Sequence, residues 1–225
     1  MNRKHLSLIF IIAIITAGVI FFAGDLIKKT SDEPLVLEEQ NKANILESID
    51  SNKENTLEPD KLPKPPALGR PLNVTTSISG LEKDEALEQI KHFEASLVNK
   101  PENMHEWIQL GNLRKIIGDY LGAIEYWKYA SLLQPNYHVP FNNLGNLYQY
   151  YLNDALKAEE YFKKMIEVSP NNEDSYKNLF ELYTLSYKEK ENLAIAVLEE
   201  GIKTVTHNGN LKMMLENYKN EKGIQ

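Results

Sequence analysis

The chain has 225 residues, a formal net charge of −7 and no cysteine. Without cysteine it has no disulfide framework, no cysteine-ligated metal site and no thiol nucleophile. Because nucleic-acid affinity comes largely from Lys and Arg side chains that displace counterions, the acidic balance argues against a nucleic-acid partner.

The first predicted element is a membrane-spanning helix at residues 6–24, behind a short tail of residues 1–5. These 19 residues, LSLIFIIAIITAGVIFFAG, carry no charge and are long enough to cross a hydrocarbon core of about 30 Å. A signal peptide would have a shorter apolar run and small residues at positions −3 and −1 of its cleavage site. Cleavage after Ala23 would place Phe21 at −3, so the sequence favours a retained anchor over a cleaved signal.

The charges beside this span predict its orientation. Arg3, Lys4 and the terminal amine precede it, and the positive-inside rule therefore gives a small bias toward a cytoplasmic N-terminus. We expect a single-pass membrane protein whose C-terminal domain lies outside the cytoplasm.

Residues 25–80 are predicted to be a flexible, disordered, proline-rich linker. Their KLPKPPALGRP cluster cannot propagate a helix, because each proline lacks an amide donor and biases its predecessor toward extended backbone. A flexible chain of 56 residues has a root-mean-square span of about 40 Å. Within it, residues 34–50 are as compatible with a short amphipathic helix as with coil.

An eight-residue segment then occurs three times: WIQLGNLR at 107–114, FNNLGNLY at 141–148 and YKNLFELY at 176–183, at offsets of 34 and 35 residues. Its bulky residues recur at spacings of 3 and 4, which predicts one apolar stripe on a helix. Gly111 and Gly145 lie on that stripe, where a second helix must approach closely.

A second spacing recurs after each of the first two segments. Small, bulky and helix-terminating residues recur there in the same order, and together with the first segment they form the predicted repeat core. The predicted core residues are Trp107, Leu110, Gly111, Ala123, Trp127, Ala130, Pro135, Phe141, Leu144, Gly145, Tyr148, Ala158, Phe162, Pro170, Tyr176, Leu179 and Tyr183.

This pattern resembles the tetratricopeptide repeat family, whose copies are helical hairpins with the signature W-x2-L-G-x2-Y, A-x3-F and P. The resemblance covers about residues 81–222 and implies an all-α solenoid coiled as a right-handed superhelix. It divides the domain into a half-repeat at 81–101, repeats at 104–135, 138–170 and 173–206, and a capping helix at 209–222. These parts make eight helices.

The third copy departs from the family pattern. Phe180 replaces the glycine, Thr206 stands where proline is expected, and the YKEKEN turn lengthens the gap between the two helices. Ala194 and Leu198 still indicate a second helix.

Motifs for catalysis are missing from the sequence. It has no Gly-rich phosphate loop, no G-x-S-x-G and no H-E-x-x-H. We therefore expect no enzyme activity, no catalytic residues, no metal site and no cofactor. Glu159 and Glu160 are adjacent, so on a helix their side chains diverge, which predicts a solvated face rather than an acid–base pair.

The family resemblance implies a partner-binding surface on the inner face, formed by the first helix of each repeat. Side-chain amides dominate there, and each has donor and acceptor capacity for a peptide backbone. The alternative is that these asparagines are merely tolerated on an exposed helix face. The implied residues are Asn112, Lys115, Asn142, Asn143, Asn146, Gln149, Lys177, Asn178 and Glu181.

One ligand class is disfavoured. Family members that bind a C-terminal carboxylate have basic residues where this chain has Ile108, Asp174 and Asn178. A carboxylate would therefore meet too little positive charge.

The anchor, linker and repeats together predict a membrane-anchored adaptor or scaffold that binds a segment of a partner protein, in envelope assembly or protein export. The alternative is a structural module that forms homo-oligomers at the membrane. The spacing of Ala13 and Ala17 in the span is compatible with helix association.

Overall fold

The computed structural model describes residues 62–72, 74–77 and 79–224. This part of the chain contains eight α-helices and no strand, which confirms the all-α prediction and the number of helices. The helices are α1 Gly80–Asn99, α2 Met104–Ile116, α3 Tyr120–Leu133, α4 Val139–Tyr150, α5 Ala155–Val168, α6 Glu173–Glu181, α7 Ala194–Thr204 and α8 Gly209–Lys222.

The predicted tail and membrane span, residues 1–5 and 6–24, lie outside the described residues, as does the possible helix at 34–50. Among the helices that are described, none is both long and apolar enough to cross a membrane.

Polar side chains fix the starts of several helices. Ser79 and Glu82 form a capping box at the start of α1, which satisfies two amide donors that the first helical turn leaves unpaired. Asp119 and Asp154 accept hydrogen bonds from the third residue of α3 and α5, Gly122 and Lys157. The short turns between paired helices therefore have their own sequence signals.

Each helix packs mainly against its neighbours in sequence, and α6 also contacts α8. The helices of a pair are antiparallel: Trp107, in the first turn of α2, has its ring 5.1 Å from that of Tyr129, near the end of α3. The predicted ranges 104–135, 138–170 and 173–206 each contain one such pair.

Two glycines allow the closest helix contacts. A Cβ atom on Gly111 would overlap the ring of Trp127, and one on Gly145 would overlap the ring of Phe162. The close approach that the sequence predicts at these glycines is therefore present in both the α2–α3 and the α4–α5 pair.

The predicted core residues are buried, except the two prolines. Pro135 and Pro170 are exposed in the turns after α3 and α5, where a proline cannot continue the helix. The buried members are Trp107, Leu110, Gly111, Ala123, Trp127, Ala130, Phe141, Leu144, Gly145, Tyr148, Ala158, Phe162, Tyr176, Leu179 and Tyr183.

The third pair accommodates its extra residues between the helices. After α6 the chain continues as a π-helical turn, Leu182–Ser186, and a 3₁₀ segment, Lys188–Leu193. At the end of α7, the amide and hydroxyl of Thr206 donate to Asn171 Oδ1 at 2.8 and 3.1 Å. These bonds secure a position where the repeat pattern expects proline.

Residues 67–72 and 74–76, here called the strap, lie against the helices. Leu68, Leu72 and Val74 pack on the core of α1, α2 and α3, and the Tyr126 hydroxyl donates to the Ala67 carbonyl at 3.2 Å. This packing differs from the flexible linker that the sequence predicts for all of residues 25–80. Prolines exclude a helix here, but they do not prevent an extended segment from binding a surface.

The strap is held by Arg114, whose side chain is fully buried. Its guanidinium donates to the carbonyls of Arg70 at 3.2 Å and Pro71 at 3.0 Å. It also forms ion pairs with Glu94 at 2.7 Å and Asp119 at 3.3 Å. The planar donors of arginine can serve several acceptors at once, so one side chain joins the strap to α1 and to the α2–α3 turn.

Arg70 extends this charge network to α3. Its guanidinium contacts Asp119 at 3.1 Å and Glu125 at 2.8 Å. Asp119 therefore caps α3 and also bridges two arginines.

We expect Gly145→Ala to destabilise the fold by about 1–3 kcal/mol, because the added methyl group overpacks the contact with Phe162. Gly80→Ala is the matched control, since a Cβ there meets open space, and it should leave stability unchanged or raise it by up to about 1 kcal/mol. Urea unfolding followed by circular dichroism measures both. Equal free energies of unfolding for the two variants would contradict a close contact between Gly145 and the Phe162 ring.

We expect Arg114→Met to cost about 3–5 kcal/mol, because it removes the buried ion-pair partner of Glu94 and one of the two arginines that Asp119 contacts. Hydrogen exchange at the Thr75 amide, which donates to the Ile117 carbonyl, should accelerate as the strap loosens.

The matched control for that change is Lys91→Met, which removes an exposed ion pair with Glu88. Exposed pairs contribute little, so its unfolding free energy should change by no more than about 1 kcal/mol. Unaltered protection of the Thr75 amide in Arg114→Met would show that the strap is held by other contacts.

Candidate functional site

The residues predicted for the inner face lie on the alternate helices α2, α4 and α6. Their asparagines, here called the amide face, are half-buried. They are Asn112, Asn142, Asn143, Asn146 and Asn178.

Hydrogen bonds between these amides link the three helices. Asn143 Nδ2 donates to Asn112 Oδ1 at 3.1 Å, which joins α4 to α2. Asn178 Nδ2 donates to Asn142 Oδ1 at 2.7 Å, which joins α6 to α4. Asn146 Nδ2 donates to the same oxygen at 3.1 Å. The asparagines therefore hold the helices in register, a role that the sequence pattern does not reveal.

These bonds use only part of each amide. A side-chain amide has two N–H donors and a carbonyl oxygen with two lone pairs, and each asparagine of the network uses one or two of these. Since all five side chains are partly exposed, their remaining capacity is available at the surface.

Charged and aromatic side chains border the amide face. The Lys115 ammonium lies 5.6 Å from the centre of the Tyr151 ring, and Lys177 lies 4.0 Å from Glu181. Burial raises the pKa of the half-exposed Tyr150, and the neighbouring Glu181 carboxylate raises it further. The border carries both signs of charge rather than a basic cluster.

Gln149 differs from its predicted place on the exposed inner face. Its side chain is buried, with 3% exposed, and its Nε2 donates to Ser186 Oγ at 3.1 Å. The π-helical turn after α6 covers it, and its Oε1 has no partner. The prediction of a surface role is therefore wrong for this residue.

A cluster of polar side chains surrounds the buried carboxylate of Glu159 on α5, where the sequence predicts a solvated face. Glu159 is only 5% exposed, whereas Glu160 is exposed. Glu159 contacts Lys163 at 2.7 Å, Lys190 at 2.5 Å and the Tyr183 hydroxyl at 2.7 Å. The spacing of Glu159 and Lys163 was a sequence signal for one of these pairs, but the other two partners come from the π-helical turn and the 3₁₀ segment.

These contacts determine the ionisation of the cluster. Burial raises the pKa of Glu159, but the hydrogen bonds from Lys163, Lys190 and Tyr183 outweigh burial and lower the pKa to about 2. The pKa of Tyr183 is raised, by burial and by its bond to Glu159. A paired carboxylate with a low pKa is a poor proton acceptor near neutral pH, so the cluster is suited to joining α5 to the insertion after α6.

Among the described residues, no group of three or more His, Cys, Asp or Glu side chains is placed to hold a metal ion.

Comparison of the sequence with models of protein families gives no match, and comparison with curated proteins gives no relative. The resemblance to the tetratricopeptide repeat family therefore rests on the residue pattern of the sequence.

We expect Glu159→Gln to flatten the dependence of stability on pH below about 5. The folded-state pKa of Glu159 is lowered from its ordinary value of 4.5 to about 2. The contribution of its charge to the free energy of unfolding is therefore fully present above pH 4.5 and is lost as the pH falls toward 2. At pH 7 the free energy of unfolding of the variant should be lower by about 1–2 kcal/mol, allowing for solvent screening.

The adjacent Glu160→Gln is the matched control, because Glu160 is exposed. Urea unfolding at pH 7, 5, 4 and 3 measures each free energy of unfolding. If both variants follow the wild-type curve, the charge of Glu159 does not stabilise the fold.

Proposed function

We propose that this protein is a membrane-anchored adaptor of the tetratricopeptide repeat type, which holds a segment of a partner protein on its amide face. The observation that carries the proposal is the continuous row of half-buried amides across α2, α4 and α6, bonded to one another but not saturated. The proposal assigns binding to this face and no catalysis.

Contacts that recur in equivalent positions support the repeat architecture. The glycine–aromatic contact of Gly111 and Trp127 recurs at Gly145 and Phe162. Trp107 Nε1 donates to the Pro101 carbonyl at 2.8 Å, and 69 residues later the Tyr176 hydroxyl donates to the Pro170 carbonyl at 3.0 Å. Packing between sequence neighbours is typical of solenoids, and a right-handed superhelix is part of the proposal.

The chemistry of the amide face suits an extended peptide. An extended backbone presents alternating N–H and C=O groups, and amides can pair with both. Because the asparagines already bond to each other, they are pre-organised, and binding costs less side-chain entropy. Since backbone groups are common to all sequences, such a face favours an extended conformation over a particular sequence.

The charged border would add a weak preference. Lys115 and Lys177 provide separated positive charges, and Glu181 provides a negative one. Separated charges of both signs do not favour a terminal carboxylate or a polyanion.

The anchor in the proposal comes from residues 6–24 of the sequence. With the N-terminus in the cytoplasm, the helices would lie outside it, where an adaptor could hold a segment of an envelope protein or of an exported chain. The tether would keep the amide face near partners that pass through the same membrane.

Photocrosslinking in cells tests the proposal. A photoreactive amino acid replaces Asn146 on the amide face of the full chain, and Lys164, exposed on α5, is the matched control site. We expect one dominant product with another protein from position 146 and none from position 164, identified by mass spectrometry.

Two outcomes would contradict the proposal. The same products from both positions would mean that the amide face is not selective. Products that contain only this chain would support the alternative, a self-association module at the membrane.

A further inference from the structure

Large apolar side chains are exposed at one position that recurs in all three helix pairs. Ile116, Tyr150 and Leu185 are 42%, 50% and 62% exposed, and they are separated by the repeat offsets of 34 and 35 residues. Leu121 and Leu156, 41% and 66% exposed, recur in the same way at an offset of 35. Single exposed apolar residues are common on protein surfaces, but recurrence at equivalent positions places them in rows.

These rows lie on one edge of the helix array. Each member is in or beside the turn that joins the first helix of a pair to the second. Neighbouring turns are in contact, because the rings of Tyr120 and Tyr151 are 5.4 Å apart and Gln149 bonds to Ser186. We call this surface the turn edge, formed by Ile116, Leu121, Tyr150, Tyr151, Leu156 and Leu185.

The side chains of the turn edge match the chemistry of a lipid headgroup region. Aliphatic groups and tyrosines are favoured at the boundary between headgroups and acyl chains, and a tyrosine can keep its hydroxyl in water. Lys115 lies over the ring of Tyr151, and Lys157 lies 4.9 Å from the ring centre of Tyr148. Long lysine side chains can follow an apolar surface while the ammonium stays hydrated.

Two carboxylates at the turn edge are already paired. Asp119 contacts Arg70 and Arg114, and Asp154 contacts Lys157 at 3.3 Å. Paired carboxylates oppose insertion less than free ones do. The balanced charges favour a neutral lipid surface rather than a strongly anionic one.

The C-terminal end of the strap, residues 74–76, lies at the same edge. The Thr75 amide donates to the Ile117 carbonyl at 2.9 Å, and the Thr76 hydroxyl donates to the Ile116 carbonyl. Between residue 24, where the predicted span ends, and residue 62 lie 37 residues, whose root-mean-square span as a flexible chain is about 35 Å. This short tether would give the turn edge a high effective concentration at the bilayer surface.

We propose that the turn edge inserts into the headgroup region of the bilayer in which the chain is anchored. This inference rests on the predicted anchor but not on the peptide-binding role of the amide face. Insertion would hold the helix array in one orientation on the membrane, with α2, α4 and α6 meeting the bilayer at their C-terminal ends.

The absence of cysteine allows a clean test with single labels on the full chain. Asn192→Cys, in the exposed turn of the third pair, and Asn136→Cys, in the exposed turn between α3 and α4, replace matched polar residues at opposite edges. Each carries a fluorophore, and the protein is reconstituted into phosphatidylcholine vesicles that contain a nitroxide-labelled lipid. We expect the lipid to quench the label at position 192 and not the label at position 136.

A triple variant shows whether the apolar rows cause that quenching. In Asn192→Cys protein, serine replaces Ile116, Tyr150 and Leu185, and quenching should be lost while circular dichroism shows an intact helical fold. The matched control replaces two large residues that are exposed away from the turn edge, and quenching should be retained. The control residues are Val98 and Met213.

Three results would overturn the inference: equal quenching of both labels, no quenching of either, or quenching that the edge variant retains. Absence of quenching, together with photocrosslinking in cells from position 192 to another protein, would assign the rows to a protein partner instead. Vesicle flotation of the same samples reports separately whether the anchor inserts, and photocrosslinking from position 146 reports separately on the amide face.

Discussion

Close contact between paired helices is the constraint from which the rest of the structure follows. Trp127 and Phe162 can lie against the preceding helix only because Gly111 and Gly145 have no side chain there. This contact sets the distance between helices within the first two pairs. With that distance fixed, α2, α4 and α6 come near enough for short asparagine side chains to bond across them. A glycine in the core of one helix pair thus supports the amide face, which several helix pairs form together.

Buried charge secures the two places where the chain departs from simple helix pairs. Arg114 holds the strap, and Glu159 holds the insertion after α6 through Lys190 and Tyr183. Both side chains have partners distant in sequence, so these bonds require the helices to be packed together. Because an unpaired buried charge is costly, placements of the strap or the insertion that break these contacts are disfavoured.

The sequence was most informative where spacing repeats. The offsets of 34 and 35 residues predicted the helices and the buried aromatic and small residues, since a stripe of apolar side chains must be covered by the next helix. Contacts that do not repeat were not predictable in this way. The strap binds Arg114 across 43 and 44 residues, and its prolines indicate only that it is not helical. The sequence pattern places Gln149 at the surface, because the π-helical turn that covers it leaves no periodic signal. The hydrogen bonds among the asparagines depend on the distances between helices, which residue types alone do not give.

The strap has a mechanical consequence. A chain that leaves the helices beside Ala67 and continues toward a membrane anchor would transmit any pull first to the bond between Ala67 and Tyr126 on α3. The pull would then reach Arg70 and Pro71, whose carbonyls bond to Arg114. Arg114 lies on α2, inside the first complete helix pair, so we expect the load to bypass α1, which follows the strap in sequence. Several bonds would share the force along the strap instead of breaking one after another from a helix end. The pair α2–α3 would then be the attachment point of the tether. Helix α1, which packs on that pair, would carry little tension.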